Sequence, residues 1–347
     1  MSDQPTYPPK PRPGDRIAVV SPGFAGPGAF PLPHELGLRR LREEFGLEPV
    51  EYPATRKLGA TPAERAADLH AAFADPTVTA VMATLGGDDQ ITVIPHLDAE
   101  LIRANPKPFF GYSDNTNLLD FLHRQGIVAY HGAAVMTQLG RPHAVHPLTA
   151  ASLRAALFDS GPYELTAATE ASTVLGRWED EATFAREPAS EPVTGWHWHR
   201  PDRVVEGTAW GGNLEILHWM AAADRLRPAA AHAGGVLFLE TSEELPSATE
   251  VFRMLRNLGE RGLLRQFPAL LVGRAMAWTF EHPHDTGARA RYRADQRAAV
   301  LRALAAYAPD TMAVFDVDLG HTEPQLVIPY GGLVRVDGPA RRITVTY

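Results

Sequence analysis

Cysteine is absent from the 347 residues, which excludes disulfides, thiolate catalysis and cysteine-held metal sites together. Any nucleophile must therefore carry oxygen or nitrogen. Nor is there a run of about 18 apolar residues, so no transmembrane helix is expected. Residues 1–14 are proline-rich and polar and lack the apolar stretch of roughly 7–15 residues that a secretory signal needs. They are expected to form a disordered lead-in to a soluble, cytoplasmic protein with no membrane partner. Positive charge is in deficit: 33 Lys and Arg face 41 Asp and Glu, a formal charge of -8 that argues against nucleic acid as a partner. What remains is ordinary globular composition, 45% hydrophobic and 21% charged, in a chain long enough for two cores.

From Arg16 onward, short β-branched runs alternate with helical periods. A strand is expected over 17–20 and a helix over 34–45, with Leu38, Leu41 and Phe45 on one face. Thr61 as N-cap and Pro62 at the first helical position announce a second helix, striped by Ala66, Leu69 and Phe73. Strands over 78–84 and 107–112 and a helix over 115–124 continue the β-α-β rhythm. Such repeats predict a doubly wound, mainly parallel sheet over residues 15–160, with ligands meeting the loops beyond the carboxyl ends of its strands. After a helix over 147–158, residues 161–203 lose helical periodicity and read as a crossover linker containing three tryptophans. Short strands and two helices, over 249–258 and 292–305, then predict a smaller α+β or barrel-like domain over 204–347.

Phe109-Phe110-Gly111-Tyr112-Ser113-Asp114-Asn115 sets a serine between a buried strand and a helix start, with glycine two positions earlier. That is the pattern of a nucleophile elbow, in which a tight turn projects the hydroxyl and the next backbone N–H can join an oxyanion hole. Asn115 stands where that motif has its second glycine, and a serine before a helix can equally be a simple cap. Thr84-Leu85-Gly86-Gly87-Asp88 is a second strand end whose backbone can approach a ligand closely, or a plain turn. Neither it nor the segment 23–28 carries a Walker or a dinucleotide glycine signature, so no nucleotide cofactor is expected. A serine needs a base, and among 14 histidines His321 stands out because Asp318-Leu319-Gly320-His321-Thr322 turns after a strand. Glu240, closing the apolar run 236–239, suits the carboxylate that orients such a histidine, with Glu243 and Glu244 as competitors. The pairs His197/His199 and His282/His284 lack companions at ligand spacing, so no metal is expected.

Together, Gly86-Gly87-Asp88-Asp89, the run Lys107 to Asp114, Gly211-Gly212-Asn213-Leu214, Phe238-Leu239-Glu240-Thr241-Ser242-Glu243 and Gly320-His321-Thr322 resemble the LD-carboxypeptidase and microcin C immunity family of serine peptidases. Each piece is weak, but their order covers nearly the whole chain. The resemblance implies a Ser113–Glu240–His321 triad divided between two domains, with the N–H groups of Gly87 and Asp114 holding the oxyanion. It further implies a cofactor-free homodimer, and substrate contact at Asn213. Two substrate classes occur in the family: a terminal D-alanine amide of murein tetrapeptides, and the amide of an aminoacyl-nucleotide toxin. The acidic Gly86-Gly87-Asp88-Asp89 loop resembles the immunity branch, so a peptide-like aminoacyl-nucleotide is the favoured substrate, with Gly86 and Asp88 at its contacts. Trp178 and Trp196 can stack on a base there or simply pack the domain seam. A reading of another class, a non-catalytic small-molecule binding protein, shares the fold and differs only at the site.

Overall fold

The β-branched runs and amphipathic periods assemble, in a computed structural model describing residues 5–174 and 176–347, into two sheets flanked by helices. The first sheet is built from Arg16–Val20 (β1), Glu48–Glu51 (β2), Val78–Ala83 (β3), Phe109–Gly111 (β4) and Ala129–His131 (β5), all parallel. β1, β3, β4 and β5 are buried on both faces, which is why they read as apolar runs without alternation, whereas the edge strand β2 leaves Glu48 and Glu51 exposed. Helices Gly26–Ala29 (α1), Pro31–Glu43 (α2), Pro62–Ala74 (α3), Ala99–Ala104 (α4), Thr116–Arg124 (α5) and Pro147–Phe158 (α6) accompany them. The Thr61 signal is realised as a capping box with Glu64, and Pro62 opens α3.

The second sheet has eight strands. Pro162–Glu164 (β6) lies at one edge, and Val204–Asn213 (β10), Val236–Glu240 (β11), Ala269–Gly273 (β12) and Met312–Val317 (β13) form its parallel centre. Leu333–Asp337 (β15) and Arg342–Thr346 (β16) run antiparallel on one flank, and His197–His199 (β9) closes the other. Glu170–Ala171 (β7) and Glu191–Pro192 (β8) make a small ribbon of their own beside the helix Glu181–Phe184 (α7). Leu214–Ala222 (α8), Ala248–Glu260 (α9) and Thr286–Tyr307 (α10) complete the unit.

Three features depart from the sequence expectation. The segment 161–203 is more than a linker, since β6 and β9 belong to the second sheet. Ile328–Tyr330 (β14), late in the chain, pairs antiparallel with β5 and so completes the first sheet. The anticipated lead-in over 1–14 is described from residue 5 only, and there it is held rather than free. Thr6 exchanges backbone hydrogen bonds with Gly126 and Val128, the Tyr7 hydroxyl accepts from Leu333 N–H at 2.8 Å, and Lys10 Nζ sits 4.3 Å over the Tyr130 ring. Such anchors are single long-range contacts without a period, so no local pattern announces them.

Where the two units meet, Trp210 on β10 donates its indole N–H to Asp120 Oδ1 at 2.9 Å, and Arg124 Nε reaches Asp120 Oδ2 at 2.7 Å. Asp120→Ala leaves the buried indole without an acceptor. It is expected to lower the unfolding free energy by about 2–3 kcal/mol, while Asp120→Asn, which keeps an oxygen, costs less. Urea denaturation of both variants checks this; equal midpoints would remove Asp120 as the bridge.

Candidate active site

Ser113 has φ 62°, a left-handed conformation that costs a non-glycine residue on the order of 1–3 kcal/mol. It opens a short 3-10 turn, Ser113–Asn115, that runs into α5. The N-cap of α5 is Asn115, not Ser113, and Asn115 spends its side-chain amide on Leu85 O and Tyr112 O. This answers the missing second glycine of the elbow: the Asn115 side chain braces the turn and ties it to the neighbouring loop. Gly86 approaches so closely that a methyl group there would lie 2.9 Å from Ser113 Oγ, which explains why that position is glycine.

The Gly86 loop is fixed from three sides. Phe24 N–H donates to Gly86 O at 2.8 Å. Gln90 N–H donates to Asp114 Oδ2 at 2.9 Å. The buried Arg65 of α3 forks onto both oxygens of Asp89, at 2.6 and 2.8 Å, and also donates to Gly23 O. Asp89 is thus a buttress between two loops, and Arg65 is a residue the sequence did not flag, because one arginine in a helix carries no motif. Burial first, then the nearby Asp89 and Asp88, push the Asp114 carboxyl up to about 7 against the hydrogen bonds it accepts.

Glu240 ends β11 with its side chain 1% exposed, and His321 stands in the turn beyond β13 with Nδ1 2.5 Å from Glu240 Oε2. Gly320, at φ +87°, makes room: a Cβ there would fall 2.6 Å from Glu240 Oε2. The imidazole packs edge-on against Tyr112, ring centroids 5.0 Å apart, and Tyr112 is the residue before Ser113. Burial opposes an imidazolium at this place, but Glu240, Glu243 and, farther off, Glu215 outweigh it and raise His321 to about 9. Glu240 is correspondingly lowered, its own burial being overcome by His321 and His131. Of the two competitors for its role, Glu243 touches the other ring nitrogen, Oε2 lying 3.3 Å from Nε2, and Glu244 lines the cavity nearby.

Ser113 and His321 open into one cavity of about 500 Å³, whose wall also includes Gly86, Gly87, Asp88, Arg141 and Trp178. The size falls in the usual range for small-ligand sites. Other expected contacts lie elsewhere. Asn213 caps α8 through Oδ1, accepting from Ile216 N–H at 2.9 Å, and is paired in register with Glu240 rather than set on the cavity wall. Trp196 turns its indole N–H to the buried Asp318 carboxylate at 2.9 Å, so it packs the second unit, while Trp178 faces the cavity. Arg141, buried and held by Glu187 and Glu323 at 2.5 Å each, is a cavity residue that no sequence pattern singled out.

Removing the Glu240 charge tests this electrostatic arrangement. In Glu240→Gln the His321 imidazole should titrate at least about one pH unit lower than in the wild type, followed by nitrogen-resolved NMR. An unshifted midpoint would show that Glu240 does not govern it.

Comparison with known proteins supports the resemblance read from the motifs. The LD-carboxypeptidase N-terminal domain matches residues 17–132 and the LD-carboxypeptidase C-terminal domain matches residues 206–336. A probable murein peptide carboxypeptidase of Bacillus subtilis is 33% identical, over 75% of this chain and 72% of its own length. The microcin C7 self-immunity protein MccF of Escherichia coli is 25% identical, over 82% and 78%. In three dimensions, MccF in complex with aspartyl sulfamoyl adenosine superposes with a TM-score of 0.85 over 99% of both chains at 22% identity, a likeness of fold. None of the helices among the described residues is long and apolar enough to cross a membrane. With both domains matched in order along a fold shared from end to end, the chain belongs to the LD-carboxypeptidase family of peptidases.

Proposed function

We propose that this peptidase cleaves an amide bond through a Ser113–His321–Glu240 triad. The observation that carries the reading is that a strained Ser113 and a Glu240-bound His321, packed on Tyr112, both line one ligand-sized cavity. Ser113 Oγ attacks the scissile carbonyl carbon while His321 Nε2 takes its proton. Glu240 holds the tautomer with the proton on Nδ1 and stabilises the imidazolium that forms. The tetrahedral oxyanion is received by the N–H groups of Gly87 and Asp114. Because a trans peptide points its N–H opposite to its C=O, the Gly86 carbonyl on Phe24 turns the Gly87 N–H away from that contact. His321 then passes its proton to the departing amine, and water hydrolyses the acyl-enzyme by the same route in reverse. These steps use no cofactor.

The favoured substrate is an aminoacyl-nucleotide amide of the immunity type. Trp178 and Phe24 on the cavity wall offer flat apolar surface on which a base can stack, and Asp88 and Gly86 stand beside the nucleophile. Asn213 would act from its place beside Glu240. A murein tetrapeptide ending in D-alanine is the second reading, favoured by the 33% identity to a probable murein peptide carboxypeptidase. Cytoplasmic residence and a homodimeric state accompany this proposal, the latter through the family resemblance.

Incubation with a murein tetrapeptide and with an aminoacyl sulfamoyl adenosine, followed by product analysis, chooses the branch. Ser113→Ala should reduce turnover of the cleaved compound by at least about 10³-fold with binding retained. Turnover at the wild-type rate in that variant would instead favour a non-catalytic binding protein carrying a trace contaminant, or another nucleophile. Only neutral His321 can take the serine proton. Since its pKa is raised to about 9, kcat/KM should climb as pH rises from about 6.5 toward 9. A profile flat from about pH 5 to 8 would count against His321 as the base.

A further inference from the structure

Glu243 occupies the ring nitrogen that the proposed chemistry needs. Its Oε2 lies 3.3 Å from His321 Nε2, while Glu240 holds Nδ1. Unlike Glu240, Glu243 is 59% exposed at the cavity edge, on the loop that follows β11, so its side chain is free to turn. The cavity around it is strongly one-sided. Asp88, Glu243, Glu244 and Glu323 line it against a single guanidinium, Arg141, and Arg141 is already held by Glu187 and Glu323. An acyl group bearing a carboxylate meets like charge there. One bearing an ammonium or guanidinium finds Glu243 and Glu244 in reach, and the cation it has to displace from Glu243 is His321.

We propose that Glu243 is a charge gate: in the empty site it pairs with His321 Nε2, and a cationic group on the acyl part of the substrate draws it away. The hand-over frees Nε2 for Ser113 and selects basic over acidic acyl groups. No bond is made or broken in it; one ion pair replaces another. The idea rests on the triad reading above and deepens it. His321 is faced by Glu240 from β11, Glu215 from α8, His131 from β5 and Tyr112 beside Ser113, besides Glu243 itself. His131 is kept neutral by its burial. Loss of the Glu243 charge alone should therefore ease deprotonation of His321 while Glu240 continues to orient it.

The probes are lysyl and glutamyl sulfamoyl adenosine, and a peptide pair ending in Lys-D-Ala or Glu-D-Ala. The wild type should cleave the lysyl member of whichever pair it accepts with a kcat/KM at least about tenfold higher. Glu243→Gln should shrink that preference to about threefold or less and move the acid limb of the pH profile downward. Calorimetry on Ser113→Ala, with and without Glu243→Gln, reads the same preference as affinity without turnover. Equal affinities for the two members, or a preference and an acid limb unchanged by Glu243→Gln, would overturn the gate and leave the triad standing. Wild-type turnover by Ser113→Ala would sink the triad instead, while the calorimetric comparison would still judge the gate.

Discussion

A carboxylate with 1% of its side chain exposed has to be paired, and the surroundings of Glu240 are organised around that requirement. His321 supplies a hydrogen bond at 2.5 Å, and His131, buried and neutral, lies 3.9 Å from the second oxygen. Glycines stand where larger residues would collide: Gly320 in the His321 turn and Gly273 at the end of β12, where a Cβ would come within 2.9 Å of Glu240 Cβ. The charge is thereby placed to hold an imidazolium, and the same burial that makes it costly keeps water from weakening the pair.

For the proposed triad, two units must also keep their relative placement, because Ser113 stands on one and Glu240 and His321 on the other. Covalent order alone does not secure this. β14 returns from the C-terminal half to pair with β5, the Trp210–Asp120 hydrogen bond ties β10 to α5, and Asn213 N–H donates to Thr116 Oγ1 at 3.1 Å. The seam is therefore interlocked by both main chain and side chain. Tyr112, packed on the His321 ring, carries that rigidity to the serine itself.

The charges of the cavity divide by their mobility. Arg141 is clamped by Glu187 and Glu323, and Asp89, behind the cavity loop, by Arg65, so these serve the walls, whereas Glu243 is held only by His321 among the ion pairs of the described residues. Groups that have stronger partners than a ligand can offer keep their place when it binds. A weakly held, exposed carboxylate against a histidine is where binding energy can be redirected.

Much of the first sheet was legible from residues close in sequence. β1, β3 and α3 follow from an apolar run, a β-branched run and the Thr61-Pro62 signal, because strand burial and helix capping are decided within a few residues. Ser113 was legible as a strand-to-helix serine, but whether its hydroxyl caps the helix was not; the positive φ and the Asn115 brace decide that, and both depend on contact with the Gly86 loop. Trp178 and Trp196 read alike in sequence, yet one faces the cavity and the other is bound to Asp318, far away along the chain. Arg141, β14 and the anchored residues 5–14 were misplaced or unseen for the same reason. By itself the sequence determined the chemistry available, oxygen nucleophiles with histidine and carboxylates and no thiol, along with the local elements. Only the tertiary structure decided which of those groups meet, since pairs such as His321 with Glu240, 81 residues apart, are brought together by sheet pairing and burial that no short stretch of chain encodes.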